Sequence, residues 1–135
     1  MSLDAAQRQS LAALARVMIP GWPAPPGAEA LALHEGPATH VLAIDPTRLE
    51  PLARFLAGAG EVGTLAEVET LARADPEGFE ALSVVLANAY FMHPDTRAAI
   101  GYPGQEARDS SVGLSEADLA LVARVSARGP IWRKA

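Results

Sequence analysis

Positions 76–92, reading PEGFEALSVVLANAYFM, restrict the fold of this chain more than any other stretch. Apolar side chains recur there at helical spacing, along the stripe Phe79, Leu82, Leu86, Ala89 and Tyr90. Val84 and Val85 lie off that stripe, so the stretch is apolar on more than one face. Because a helix of this kind is normally buried by other elements, we predict a central helix over 76–92 with the rest of the chain packed around it.

The flanking sequence carries signals for further helices. In a capping box, a cap side chain and a residue three positions later satisfy each other's backbone amides. This spacing occurs at three places, which pair Asp4 with Gln7, Thr64 with Glu67, and Ser115 with Asp118. Asp-Pro pairs at 45–46 and 75–76 each supply a cap followed by a proline suited to the first helical position. We predict a helix after each signal.

Three shorter stretches are harder to assign. Ala28–Glu35 is predicted as a short helix that Gly36-Pro37 ends. Residues 39–44 (THVLAI) alternate as a strand does, but the chain has no second strand-like run to pair with them, so a helix is favoured. Residues 94–100 are predicted to form a short turn of helix closed by Gly101.

The composition favours an all-α fold. Half of the residues are apolar, chiefly alanine and leucine, whereas aromatic residues make up 5%. Alanine and leucine favour helices, while β-branched and aromatic residues favour strands. We predict a compact single domain over 1–135, a bundle of about six or seven short helices. A stiff, Pro-rich connector over 20–27 follows the first helix, with Trp22 anchored on the helices. Residues 101–113 form a loop and 129–135 a basic tail.

Charge and cysteine content exclude several classes of protein. Cysteine is absent, which excludes disulfides, thiolate metal sites and cysteine nucleophiles. The net charge of −5 is unsuited to nucleic-acid binding, which needs clustered basic residues. No apolar run approaches the roughly 20 residues that cross a bilayer, and the N-terminus has no signal-peptide pattern. We therefore predict a cytoplasmic protein without membrane insertion.

Motifs for catalysis or cofactor binding are missing as well. The chain contains no G-x-S-x-G, no G-x-G-x-x-G and no P-loop. His34-Glu35 is followed by Gly36-Pro37, which interrupts the helix that a zinc motif with two histidines requires. We predict no catalytic residue, no metal site and no cofactor, and expect the chain to lack catalytic activity on its own.

The densest group of side chains capable of chemistry lies at the end of the central helix. It consists of Tyr90, His93, Asp95, Arg97, Tyr102 and Gln105, and Trp22 and Trp132 extend this candidate docking surface. His93 with Asp95 suits an acid–base pair, because a carboxylate can orient an imidazole. The same two residues also suit helix capping, which is the favoured interpretation. Aromatics beside an arginine are typical of protein interfaces, although aromatics at helix ends also close bundles.

Three short motifs resemble those of a known family. They are Ile19-Pro20-Gly21 after the first helix, Pro26-Gly27-Ala28, and Tyr90 with Pro94 followed by Gly101-Tyr102-Pro103-Gly104. In this combination the chain resembles the small subunit (subunit 3, or gamma) family of gluconate 2-dehydrogenase, more at its two ends than in its middle. The resemblance implies a helical subunit that accompanies a flavin-containing oxidoreductase, often together with a cytochrome subunit. It transfers no active-site residue to this chain.

Members of that family often begin with a twin-arginine export signal, which this sequence lacks. The resemblance therefore points to a shorter cytoplasmic relative with a different partner. We predict a non-catalytic accessory subunit that docks on a flavoprotein dehydrogenase. Two alternatives stay open: a self-associating helical protein that forms a homodimer, and a small-molecule binder. The binder would bring together in one pocket Tyr90, His93, Asp95, Arg97 and Tyr102.

Overall fold

The computed structural model describes residues 2–22, 24–106 and 113–129. The chain divides into two compact units, Met1–Gly104 and Gln105–Ala135. Every regular element in the described residues is helical, which confirms the all-α prediction. The organisation of 1–135 as one domain stays a prediction. None of the helices in the described ranges is both long and apolar enough to cross a membrane.

The described residues of the first unit form six α-helices and one 3-10 turn, and those of the second form one α-helix. They are α1 (Ala5–Met18), α2 (Gly36–Ile44), the 3-10 turn (Pro46–Arg48), α3 (Leu49–Ala59), α4 (Leu65–Ala74), α5 (Pro76–Met92), α6 (Pro94–Ala99) and α7 (Glu116–Ser126). All three predicted capping boxes form, at the starts of α1, α4 and α7. The ambiguous stretch 39–44 is helical, as favoured, and lies within α2.

Helix α5 is the centre of the first unit, as predicted. It packs against α2, α3 and α4, and its inward side chains are almost completely buried: Ala81, Leu82, Val85, Leu86 and Ala89. Val85 was assigned off the main stripe, yet it is as buried as Leu82, because α5 has neighbours on more than one side. Burying a side chain such as leucine contributes about 1.5–3 kcal/mol, so these contacts dominate the stability of the unit.

The approach of α5 to α3 depends on Gly78. A Cβ at this position would lie 2.7 Å from the Phe55 Cβ and 2.6 Å from a carboxylate oxygen of Asp75. Asp75 caps α5 by accepting a hydrogen bond from the Gly78 N–H at 3.0 Å. It also accepts two hydrogen bonds from the Arg54 guanidinium on α3, both at 3.2 Å. One carboxylate therefore starts α5 and joins it to α3.

These contacts change the acidity of both ionised groups. The Arg54 guanidinium, together with the Gly78 amide, holds the pKa of Asp75 below its usual value. Asp75 and Glu77 in turn raise the pKa of Arg54. Glu77 contributes through a carboxylate oxygen 2.8 Å from the Arg54 Nη2. The ion pairs are largely solvent-accessible, so they orient the two helices more than they stabilise them.

Gly36-Pro37 begins a helix instead of ending one, so the predicted helix over 28–35 is wrong. Those residues form turns, with Ala32 in the left-handed region at φ 46°, and α2 starts at Gly36. Proline suits the first helical turn as well as it ends a helix, because the N–H it lacks has no helical partner there. Leu31 and Leu33 are nevertheless buried, which shows that burial does not require helical periodicity here.

The two ends of the Pro-rich segment, residues 20–27, lie together instead of being separated by the extended connector that was predicted. The Ala28 N–H donates to the Ile19 carbonyl at 3.1 Å, which brings the two ends of the segment together. Gly27 packs against Gly21, and a Cβ added at Gly27 would lie 2.5 Å from the Gly21 nitrogen. Trp22 is 73% exposed, so the prediction that it anchors the segment on the helices is wrong. We call residues 20–27 the tryptophan loop.

The second unit contains the predicted last helix, α7, whose Ser115 cap accepts a hydrogen bond from the Asp118 N–H at 3.2 Å. Leu119, Val122 and Val125 are each more than half exposed, so the prediction that they face inward is wrong. Periodicity identifies an apolar stripe but does not identify what covers it. The rest of the predicted 101–113 loop, at 107–112, and the tail at 130–135 lie outside the described residues.

We predict that Gly78→Ala destabilises the protein by about 1–2 kcal/mol, because the added Cβ overlaps Phe55. Equilibrium unfolding in urea measures this change. Gly58→Ala in α3 is a matched control, since nothing lies within 4 Å of a Cβ added there. The control should be neutral or stabilising by about 0.5 kcal/mol, as alanine is the better helix former. Equal effects of the two substitutions would contradict the close approach of α5 to α3.

We also predict that Asp75 makes stability fall in acid. Its folded-state pKa lies below the ordinary value of 3.8, so the unfolded chain takes up this proton more readily than the folded protein. The contribution is complete above the ordinary pKa and is lost as the pH falls through the lowered one. In urea unfolding between about pH 2 and 6, the difference in unfolding free energy between the native protein and Asp75→Asn should shrink as the pH falls. A difference that stays constant would disprove this role.

Candidate functional site

The chain changes direction at the end of α5, in a segment that we call the corner, residues 90–104. His93 is extended, with φ −67° and ψ 133°, because a residue before proline is pushed out of the helical region. Its Nδ1 accepts a hydrogen bond from the Asp95 N–H at 3.2 Å, and its carbonyl accepts one from the Arg97 N–H at 3.1 Å. His93 is therefore the N-cap of α6.

Asp95 does not complete an acid–base pair with His93. The Asp95 Oδ2 lies 4.0 Å from the His93 Nδ1, which is longer than a hydrogen bond, and Nδ1 already accepts from the backbone. The carboxylate is mostly exposed and occupies the first turn of α6, where negative charge suits the helix dipole. The capping interpretation of these two residues is confirmed.

Arg97 shapes the turn that follows α6. Its guanidinium carbon lies 5.4 Å from the centre of the Tyr102 ring, within the range of a cation–π contact. The Tyr102 N–H donates to the Arg97 carbonyl at 2.8 Å. Gly101 and Gly104 adopt left-handed φ values of 67° and 92°, and a Cβ at Gly104 would overlap the Arg97 guanidinium. The two glycines therefore allow the turn that places Tyr102 against Arg97.

The corner also leaves large apolar side chains exposed. Phe91 is 58% exposed and Tyr102 is 53% exposed, and Met92 and Ile100 have comparable exposure. Tyr90 is half-buried, and its ring meets that of Phe91 edge to face, with the centres 5.3 Å apart. Since α6 has six residues and spans about 9 Å, these residues lie at the two ends of one short helix.

A cleft of about 270 Å³ lies between α2 and the corner. His40 and His93 both line it, with a largely apolar wall formed by Pro37, Val41, Ala89, Met92 and Pro94. Tyr90, Asp95, Arg97 and Tyr102 do not line it, so the five residues expected to share one pocket are divided. Within 2–22, 24–106 and 113–129, no three His, Asp or Glu side chains form a group that could hold a metal.

His40 is the residue that sequence reasoning missed at this site. It lies far from His93 in sequence, and only the packing of α2 on α5 brings the two imidazoles to the same cleft. No local pattern in the sequence pairs it with His93. Thr96 was also missed: it is completely buried in α6, although threonine is more often found exposed.

The other candidate residues are not gathered at the corner. Trp22 follows α1 four residues after Met18, which shares a cleft with Phe79 near the start of α5. Because α5 has 17 residues and is about 25 Å long, the tryptophan loop belongs near the opposite end of this helix from His93. Gln105 is exposed and belongs to the second unit. Trp132 lies outside the described residues.

The corner combines exposed aromatic faces, a guanidinium and an exposed carboxylate, groups that recognise another surface by burial, stacking and ion pairing. Its one imidazole is engaged through Nδ1 in capping a helix. No family model, curated protein or solved structure matches this chain. The geometry of the corner and the short sequence motifs are therefore the basis for assigning a function.

We predict that His93→Ala frays α6, because it removes the acceptor for the Asp95 N–H at a cost of about 1 kcal/mol. Amide hydrogen exchange at residues 97–102 should accelerate, while exchange in α3 stays as it is. His93→Asn is the matched control, since asparagine is a good N-cap and should restore slow exchange. Equally fast exchange in the alanine and asparagine variants would show that capping is not the role of His93.

Proposed function

We propose that this chain is a non-catalytic accessory subunit that binds a flavin-dependent oxidoreductase through the corner. The observation that carries the proposal is the exposure of Phe91, Met92, Ile100 and Tyr102 within the corner. Aromatic residues, methionine and arginine are enriched in protein interfaces, and truncating the central ones often costs more than 1 kcal/mol in binding. The corner contains all three types.

Local hydrogen bonding at the corner supports a role in recognition. The His93 cap and the hydrogen bond from Tyr102 to Arg97 tie down the two ends of α6, and two left-handed glycines allow the turn that follows. A surface that is already ordered loses less conformational entropy on binding, so more of the contact energy becomes affinity. The stacked pair Arg97–Tyr102 presents an aromatic face beside a positive charge, which suits an acidic rim around an apolar patch on the partner.

The nature of the partner comes from the resemblance to the gluconate 2-dehydrogenase small subunit. Its motif residues have structural roles in this chain: Gly21 and Gly27 close the tryptophan loop, and Gly101 and Gly104 form the turn of the corner. A partner surface that accepts this shape would constrain these positions. The resemblance alone is the reason for proposing a flavin-containing dehydrogenase as the partner, with the catalytic chemistry located on that subunit.

Site-specific photo-crosslinking in the native organism tests the proposal. A photoreactive phenylalanine analogue in place of Tyr102 should form adducts with a dehydrogenase subunit that contains flavin, identified by mass spectrometry. The matched control places the same analogue at Thr70, which is exposed on α4, and should give no such adduct. Phe91→Ala should weaken the purified complex by about 10-fold, as expected for one interface aromatic.

Two outcomes would refute this function. One is a set of adducts that is the same from positions 70 and 102, which would mean that the corner has no special role in binding. The other is a specific partner at position 102 that has no flavin and no dehydrogenase activity. In that case the corner would still be a docking surface, but the assignment of the partner would be wrong.

A further inference from the structure

Helix α6 is capped by an imidazole, whereas the other side-chain caps in the described part of the chain are carboxylates and hydroxyls. The Nδ1 of His93 accepts a hydrogen bond from the Asp95 N–H at 3.2 Å. The other caps whose side chains accept from the backbone are Asp4, Asp45, Thr64, Asp75 and Ser115. Oxygen caps keep their acceptor near neutral pH, but an imidazole nitrogen loses its lone pair when it is protonated. Of these six caps, the one made by His93 is therefore the one that depends on a proton.

The hydrogen bond determines which nitrogen of neutral His93 carries the proton. A backbone N–H only donates, so the Nδ1 that accepts from it is unprotonated and the ring proton is on Nε2. Coordination of a metal through Nε2 would move this proton to Nδ1 and remove the cap. The geometry therefore favours proton binding over metal binding as the chemistry of His93.

Protonation of His93 converts the acceptor of the cap into a donor. Both nitrogens of an imidazolium carry hydrogens, so the Nδ1–H and the Asp95 N–H would point at each other. Pro94, the first residue of α6, has no N–H, so the Asp95 N–H is the first donor of the helix, and it loses its partner. The new positive charge also lies at the start of α6, where the helix dipole disfavours cations.

The Asp95 carboxylate compensates for this loss only in part. Its Oδ2 lies 4.0 Å from the His93 Nδ1, so a rotation of either side chain would let the imidazolium donate to it. The Asp95 side chain is 75% exposed, and solvent-exposed ion pairs contribute little to stability. The pair would also leave the Asp95 N–H without its acceptor. Protonated His93 therefore contacts the Asp95 side chain and no longer caps α6.

The ionisable groups near His93 come from three helices. His40 on α2 lines the same cleft, Tyr90 lies in the last turn of α5, and Asp95 and Arg97 belong to α6. Histidine is the side-chain type whose charge usually changes between about pH 5 and 8, so His40 is the group whose response must be separated from that of His93. His40 lies inside α2 and is not the cap of a helix, so its protonation removes no cap.

We propose that His93 is a proton-dependent switch of the corner: neutral His93 caps α6, and protonation of His93 releases the cap and frays the helix. With six residues, α6 is too short to be stable without contacts at its ends, so the loss of one cap matters more than in a long helix. Phe91 and Met92 precede α6 and Tyr102 follows it, so fraying changes the spacing of the exposed apolar side chains of the corner.

The switch has a consequence for binding, which rests on the proposed accessory function. A frayed α6 must be ordered again when the corner meets a partner, and this ordering reduces the affinity. The corner should therefore bind its partner more weakly in acid, by up to about 5-fold, the population change expected for one lost cap. The switch itself is measured on the free chain, so failure of the accessory function would not remove it.

NMR spectroscopy of the full chain tests the switch between about pH 8 and 5. In the neutral form, the ¹⁵N shifts of His93 should show an unprotonated Nδ1 and a protonated Nε2. As His93 takes up its second proton, the amide protection factors at residues 97–102 should fall about 5-fold, which corresponds to about 1 kcal/mol. Protection factors remove the intrinsic pH dependence of exchange. Protection in α4, whose cap is the Thr64 hydroxyl, should stay constant.

Two variants separate the cap from the charge of the cleft. His93→Asn keeps an acceptor for the Asp95 N–H whatever the pH, so protection at residues 97–102 should no longer fall in acid. His40→Gln removes the other imidazole of the cleft and leaves the cap in place, so the fall in protection should remain.

Four results would overturn the proposal. A proton on Nδ1 in the neutral form of His93 would contradict the cap itself. Constant protection at residues 97–102 while His93 is protonated would show that the cap does not order α6. A fall in protection that persists in His93→Asn would have another cause. A fall that disappears in His40→Gln would assign the response to the charge of the cleft instead of the cap.

Discussion

The contact between α5 and α3 at Gly78 combines two requirements that normally conflict. A helix start needs a capping side chain, and close helix packing needs a position without one. Asp75 meets the first requirement and at the same time accepts hydrogen bonds from Arg54 on α3, while Gly78 meets the second. With α5 placed in this way, its buried faces organise α2 and α4, and its far end fixes where the corner begins.

The parts of this fold that sequence predicts well are those set by residues close together in the chain. A capping box spans three residues, so Asp4, Thr64 and Ser115 mark the starts of α1, α4 and α7 without any knowledge of the packing. Whether Gly36-Pro37 ends or begins a helix could not be predicted in this way, because the pair suits the end of one helix and the start of the next equally well. The prediction for Trp22 was wrong for another reason, since the ends of its segment meet through a hydrogen bond between Ile19 and Ala28 that the local sequence does not indicate.

The same difference between local and long-range contacts decides which features of the candidate site could be predicted. The roles of His93 and Asp95 as cap and first-turn residue are local and were predicted, whereas the meeting of His40 with His93 depends on how α2 packs on α5. Polar residues are dense at the corner because a helix ends there and another begins, and unpaired backbone groups need partners. What remains for recognition is the exposed set of apolar side chains, of which the sequence analysis named Tyr102 but not Phe91, Met92 or Ile100.

The central claim is that the corner is where a partner binds, and amide hydrogen exchange with and without the captured flavin-dependent dehydrogenase tests it most directly. When the chain is saturated with this partner, protection should increase at residues 91–102, while α3 and α4 should exchange as they do in the free protein. Protection that appears on α3 or α4 and leaves 91–102 unchanged would contradict the claim.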